Sequence, residues 1–117
     1  MFQKLTSDGY LMQKQAFHKS IETKQHDSLA WYGKGLALII LNKYDEAITA
    51  FDKSIEINSQ NSLTWYSKGL ALYKLNKLTE AVRAFDKAIE INPQNSEALK
   101  SKDVTLNRLN RYDLQVK

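Results

Sequence analysis

SLAWYGKGLALIILNKYDEAITAFDKSIEINSQN, residues 28–61, aligns without a gap on SLTWYSKGLALYKLNKLTEAVRAFDKAIEINPQN, residues 62–95, when the chain is shifted by 34 residues. About 24 of the 34 positions are identical. A repeat of this length is a supersecondary unit that buries its apolar face by stacking on its neighbours. The flanks keep the period. Tyr10, Phe17, Lys19, Ser20, Ile21 and Glu22 fall under Tyr44, Phe51, Lys53, Ser54, Ile55 and Glu56. Downstream, Leu106, Leu109 and Asn110 match Leu72, Leu75 and Asn76, and Tyr112 matches Tyr44. The chain therefore reads as one domain over 1–117: a half repeat (1–27), two full repeats (28–61 and 62–95), and a C-terminal half repeat or capping helix (96–117).

Each full repeat divides into two helices. Trp31, Leu38 and Leu41 recur at helical spacing, as do Trp65, Leu72 and Leu75. In the second helix Ala47, Ile48, Phe51 and Ile55 form an apolar stripe, matched by Ala81, Val82, Phe85 and Ile89. Asp27, Asn61 and Asn95 precede the first helices as N-caps, since a side-chain oxygen can accept from an orphan N–H there. Asn42, Asn76 and Asn110 follow them as left-handed terminators. Asn58 and Asn92-Pro93 end the second helices. The candidate core is Trp31, Gly35, Ala47 and Phe51 in one repeat, and Trp65, Gly69, Ala81 and Phe85 in the next. Glycine inside a helix costs about 1 kcal/mol relative to alanine. The expected compensation is a close approach of Gly35 to Ala47 and of Gly69 to Ala81.

The composition agrees with an all-α chain of about six helices. One Pro and four Gly in 117 residues argue against turn-rich β folds. Cysteine is absent, which excludes disulfides, thiolate metal sites and cysteine nucleophiles. The net charge is +4, distributed as about +1, −1, +2 and +2 over the four segments with both signs interspersed. Basic patches that bind nucleic acid are usually denser, so nucleic acid is the least favoured partner. The longest apolar run, Leu36–Leu41, is far short of the roughly 20 residues that span a bilayer. No secretory signal is visible at residues 1–17, and a cytoplasmic protein is the simplest reading. His18 and His26 have no ligand pattern around them, Gly33-Lys34-Gly35 is not a phosphate loop, and no Gly-x-Ser-x-Gly occurs. The expectation is a non-enzymatic chain without catalytic residues, cofactor, metal or small-molecule substrate.

A 34-residue helix pair with Trp31-Tyr32, Gly35, Tyr44-Asp45-Glu46-Ala47 and Phe51, then Trp65-Tyr66, Gly69, Glu80-Ala81, Phe85, Ala88 and Pro93, resembles the tetratricopeptide repeat family. The resemblance covers residues 10–112. It implies a right-handed α-solenoid of antiparallel helix pairs, with first helices lining a concave groove, and a protein-binding role. Some positions depart from the family pattern. Lys34 and Lys68 stand where Leu is usual, Ser54 replaces Ala, Ser59 replaces Pro, Gln13 replaces Ala, and Asp103 replaces Gly.

By helical phase the groove positions are Leu29, Tyr32, Leu36, Ile39 and Ile40 in the first repeat. They are Leu63, Tyr66, Leu70, Tyr73 and Lys74 in the second, and Glu97, Lys100, Val104 and Arg108 in the last helix. The first two sets are apolar and rich in tyrosine, which suits an interaction surface. One class of the family grips the C-terminal carboxylate of heat-shock chaperones with Lys, Asn and Arg. The matching positions here are Tyr32, Leu36, Ser67, Glu97 and Ser101, so that clamp is missing. An apolar peptide or an amphipathic helix fits the groove better. The expected partner is thus a protein or peptide, with the chain itself as an alternative. The half repeats leave two readings open. They cap the stack with a polar face, or they complement each other between copies in a head-to-tail or domain-swapped oligomer.

Overall fold

The computed structural model describes the backbone of residues 2–116 and the side chains of residues 9–111. Five helices follow one another: α1 (Phe2–Ile40), α2 (Tyr44–Ile57), α3 (Ser62–Lys74), α4 (Leu78–Ile91) and α5 (Ser96–Val116). Successive helices pack in register, α1 on α2, α2 on α3, α3 on α4 and α4 on α5, with lesser contacts of α1 to α3 and α3 to α5. This is an all-helical stack of pairs. Its extents are 78 × 29 × 21 Å and its radius of gyration is 19.7 Å. A compact domain of this length would have a radius near 13 Å.

The elongation has one source. The half repeat over 1–27 implies a separate second-type helix, with a turn before a first helix capped by Asp27. Instead α1 runs without a break from Phe2 to Ile40, and Asp27 lies inside it. That is why the described residues form five helices rather than six. The physical reason lies in four residues. At the other two joints, Asn58 Oδ1 accepts from Gln60 N–H at 3.0 Å and Asn92 Oδ1 accepts from Gln94 N–H at 3.1 Å. These side chains close an Asx-type turn that competes with the helix. The equivalent position at the first joint is Lys24, followed by Gln25. Lys24 has no acceptor with which to close that turn, and both residues are good helix formers.

The other boundaries follow their local chemistry. Asn42 and Asn76 sit at φ 60° and 61°. Lys43 N–H donates to Leu38 O at 2.8 Å, and Lys77 N–H donates to Leu72 O at 2.9 Å. This is the Schellman arrangement, which satisfies carbonyls left over at a helix end. Asn110 does not act this way, because α5 continues to Val116. Asn61 Oδ1 accepts from Leu63 N–H at 3.0 Å, and Asn95 Oδ1 accepts from Ala98 N–H at 3.1 Å. The acids Asp45, Glu46 and Glu80 occupy first turns, where they complement the helix dipole.

Within each pair the core is an aromatic ring on a glycine. Phe51, Phe85, Ala47 and Ala81 are fully buried. A Cβ added at Gly35 or Gly69 would come within 3 Å of the ring of Phe51 or Phe85. The glycines thus make room for phenylalanine rings rather than for Ala47 and Ala81. Trp31 and Trp65 are only half-buried. The Trp65 indole N–H donates to Ser59 O at 2.9 Å, and Lys34 and Lys53 both lie over the Trp31 ring, at 5.0 and 5.1 Å.

Two of the departures from the family pattern have partners. Lys68 pairs with Asp52 at 2.7 Å across α2 and α3, and also stands over Trp65. Ser54 exchanges buried hydrogen bonds with Ser28: Ser54 Oγ donates to Ser28 O at 2.7 Å, and Ser28 Oγ reaches Ser54 O at 3.0 Å. The second repeat keeps only half of this device, since Ser62 Oγ donates to Ala88 O at 2.9 Å. Asp103, at the position of Gly35 and Gly69, is exposed. Among the described residues no helix is long and apolar enough to cross a membrane.

Candidate interaction groove

The first-type helices α3 and α5 lie on either side of α4, and the face they share carries a pocket of about 170 Å³. Leu70, Tyr73, Phe85, Lys100, Ser101, Val104 and Thr105 line it. Leu70 and Tyr73 come from one face of α3, three residues apart, and both pack against the core around Phe85. Lys100 and Val104 are one turn apart on α5, and both are exposed. The pocket is therefore an apolar hollow with one ammonium at its rim. Glu97 approaches Lys100 only to 4.0 Å, a long and exposed pairing that leaves the ammonium available to a ligand.

A second hollow adjoins it, lined by Tyr73, Val104, Asn107, Arg108 and Arg111. The Arg108 guanidinium stands over the Tyr73 ring at 5.1 Å, a cation–π contact that holds the arginine beside the pocket. Five of the expected groove residues thus meet at the C-terminal end: Leu70, Tyr73, Lys100, Val104 and Arg108.

The others are placed differently. Lys74 is exposed one residue beyond Tyr73 and lines neither hollow. Tyr66 lies against Phe85 with ring centroids 5.9 Å apart, and Tyr32 lies against Phe51 at 6.1 Å. Both tyrosines are half-buried and belong partly to the core, as does Ile39. Leu36 and Ile40 are exposed on α1, and Ile40 reaches 79%. They lie away from the pocket, so the groove of the first repeat is open and shallow.

Ser101, Thr105, Asn107 and Arg111 line these hollows and are not among the groove positions expected from helical phase. Ser101 and Thr105 are one turn apart, and Thr105 Oγ1 donates back to Ser101 O at 2.6 Å. That local bond satisfies the Thr105 hydroxyl within α5. Their helical spacing from Lys100 and Val104 was the available signal.

The tetratricopeptide repeat family model matches residues 28–61 and 62–95. No curated protein matches the chain significantly in sequence. Solved structures do. The second such domain of Spaghetti (RPAP3), bound to the HSP90 peptide SRMEEVD, is similar with a TM-score of 0.76 and 21% identity, covering 81% of this chain and 87% of that one. A domain of Arabidopsis OM64 is similar with a TM-score of 0.73 and 21% identity, covering 77% and 74%. The N-terminal domain of stress-induced protein-1 of C. elegans is similar with a TM-score of 0.69 and 19% identity, covering 74% of each chain. At these identities the likeness is one of fold.

Proposed function

The chain belongs to the tetratricopeptide repeat family, a protein-interaction fold, and we propose that it binds an apolar peptide or the apolar face of an amphipathic helix in the groove between α3 and α5. The observation that carries this reading is the hollow of about 170 Å³ lined by Leu70, Tyr73, Phe85 and Val104, with Lys100 at its rim. A volume of that size accepts one or two apolar side chains, and burying each contributes about 1.5–3 kcal/mol. Lys100, Arg108 and Arg111 favour an acidic group beside the apolar anchor. Similar domains that hold chaperone peptides support a peptide partner in general. The carboxylate-gripping positions of that class are Tyr32, Leu36, Ser67, Glu97 and Ser101 here, so the apolar hollow is taken as the recognition feature.

The test is a displayed random-peptide library selected on the wild-type chain, with enriched peptides then titrated against wild type and Val104→Asp. Val104 is 53% exposed, so the change leaves the fold intact. Enriched peptides should carry a large apolar residue and bind the variant at least tenfold more weakly. Equal binding to both proteins would place the interaction elsewhere.

A further inference from the structure

The face of α1 over residues 28–40 lacks a cover that its counterparts possess. Three triplets of equivalent positions make the point: Ala30, Thr64 and Ala98; Gly33, Ser67 and Ser101; Ala37, Ala71 and Thr105. Thr64, Ala98, Ser67, Ala71 and Thr105 are buried, and Ser101 is half-buried. What covers them is the preceding second-type helix, α2 over α3 and α4 over α5. Ala30, Gly33 and Ala37 are exposed, and a Cβ placed on Gly33 would meet nothing within 4 Å.

The segment that should cover them exists in the chain but is held away. Residues 10–23 match the second-type helices through Tyr10, Ala16, Phe17, Lys19, Ser20 and Ile21, the counterparts of Tyr44, Ala50, Phe51, Lys53, Ser54 and Ile55. Ala50, Phe51 and Ser54 are buried, whereas every residue from 10 to 27 is exposed, Tyr10 to 64% and Phe17 to 67%. Because α1 is continuous, Phe17 and Ala37 lie about 30 Å apart along its axis. The chain cannot bring its own cover to its own face.

We propose that a second copy of the chain supplies it: residues 10–23 of each chain dock on Ala30, Gly33 and Ala37 of the other, giving an antiparallel two-fold dimer built on paired α1 helices. The geometry of the α2–α3 joint carries over to it. There Phe51 shares a core with Ala71, and Asp52 pairs with Lys68. Carried back by one repeat, the pairs are Phe17 with Ala37 and His18 with Lys34, whose midpoints fall at residues 27 and 26. The two pairs thus place the two-fold axis within one residue of each other, as a reciprocal exchange requires. The axis falls just after Lys24 and Gln25, which replace the turn-forming residues of the other joints. The ion pair is not carried over, since His18 replaces the acid, and the joint rests on Phe17, Ala16 and the small residues opposite.

The experiment combines mass in solution with a cross-link, which a chain without cysteine reports cleanly. Light scattering at tens of micromolar should give about 27 kDa, twice the 13.5 kDa of one chain. On mild oxidation, a single cysteine placed by His26→Cys or by Asp27→Cys should give a disulfide-linked dimer in at least one of the two variants. Phe17→Asp, at a position exposed in the single chain, should return the mass to 13.5 kDa with helicity unchanged. A monomeric wild-type mass overturns the proposal. So does a dimer that neither cysteine links, which is the signature of head-to-tail stacking, and so does a dimer indifferent to Phe17→Asp. None of these readouts depends on the groove between α3 and α5.

Discussion

Ala37 and Ala71 occupy one place in two near-copies of a 34-residue unit, yet Ala37 is exposed and Ala71 is fully buried. The same holds along the helix. Thr64 and Ser67 are buried in the second repeat, while Ala30 and Gly33 are open in the first. Within each unit the packing is the same, a phenylalanine ring on a glycine with a tyrosine beside it. The lesson is that a repeat settles its internal contacts by itself, and its neighbours settle the rest. α3 is packed between α2 and α4, whereas α1 packs mainly on α2, with lesser contacts to α3.

The comparison can be broken first at the joint. Lys24→Asn with Gln25→Pro copies the Asn92-Pro93 step into α1. It should end that helix near residue 23, let residues 10–23 fold back over Ala30 and Ala37, and reduce the maximum dimension in small-angle scattering below that of the wild type. An unchanged maximum dimension would show that these two residues do not set the break.

Next in size is the core that the repeats share. Phe85→Ala and Phe51→Ala should each cost about 3–5 kcal/mol in denaturant unfolding, since both rings are fully buried. A clear inequality between them would show that the neighbouring helices, with Ala71 beside Phe51, support the two cores unequally. A sharper contrast comes from enlarging the covered position. Ala71→Leu should cost about 1–3 kcal/mol by overpacking, and Ala37→Leu should stay within about 0.5 kcal/mol in the single chain.

The smaller effects test the differences inside the pairs. Ser54→Ala turns the Ser28–Ser54 exchange into the simpler Ser62–Ala88 contact, and should cost about 1 kcal/mol by thermal or chemical unfolding. Thr64 Oγ1 is buried without a hydrogen-bond partner, and the equivalent residues are Ala30 and Ala98. Thr64→Ala should therefore be neutral or stabilise by up to about 1 kcal/mol, because it removes an unsatisfied hydroxyl. A loss beyond that would mean the methyl group fills space that matters more.

Much of this was legible in the residues. The period fixed the helix pairs, Asn42 and Asn76 announced their left-handed ends, and Asn61 and Asn95 their caps. Each of these is a local event, decided within a few residues by side-chain hydrogen bonds and backbone preference. The break at Asp27 was expected from repeat symmetry, although Lys24 stood where Asn58 and Asn92 close their turns. Helical phase grouped Leu70, Tyr73, Lys100, Val104 and Arg108, which line the two hollows at the C-terminal end. It did not separate Tyr32 and Tyr66, whose rings are shared with Phe51 and Phe85, from residues free to meet a ligand.

The sequence by itself determined the repeat, its two helices, their signals of start and stop, and the residues at the centre of each pair. These depend on short-range preference and on the burial of a fixed apolar stripe, and both are written in residue type and spacing. Only the tertiary structure decided which copies of that stripe have a partner. It joined residues 10–23 and 28–40 into one helix, left Phe17 and Ala37 uncovered, and gathered the pocket between α3 and α5. Burial is a property of two surfaces, and a chain that repeats one surface does not say which copy meets it.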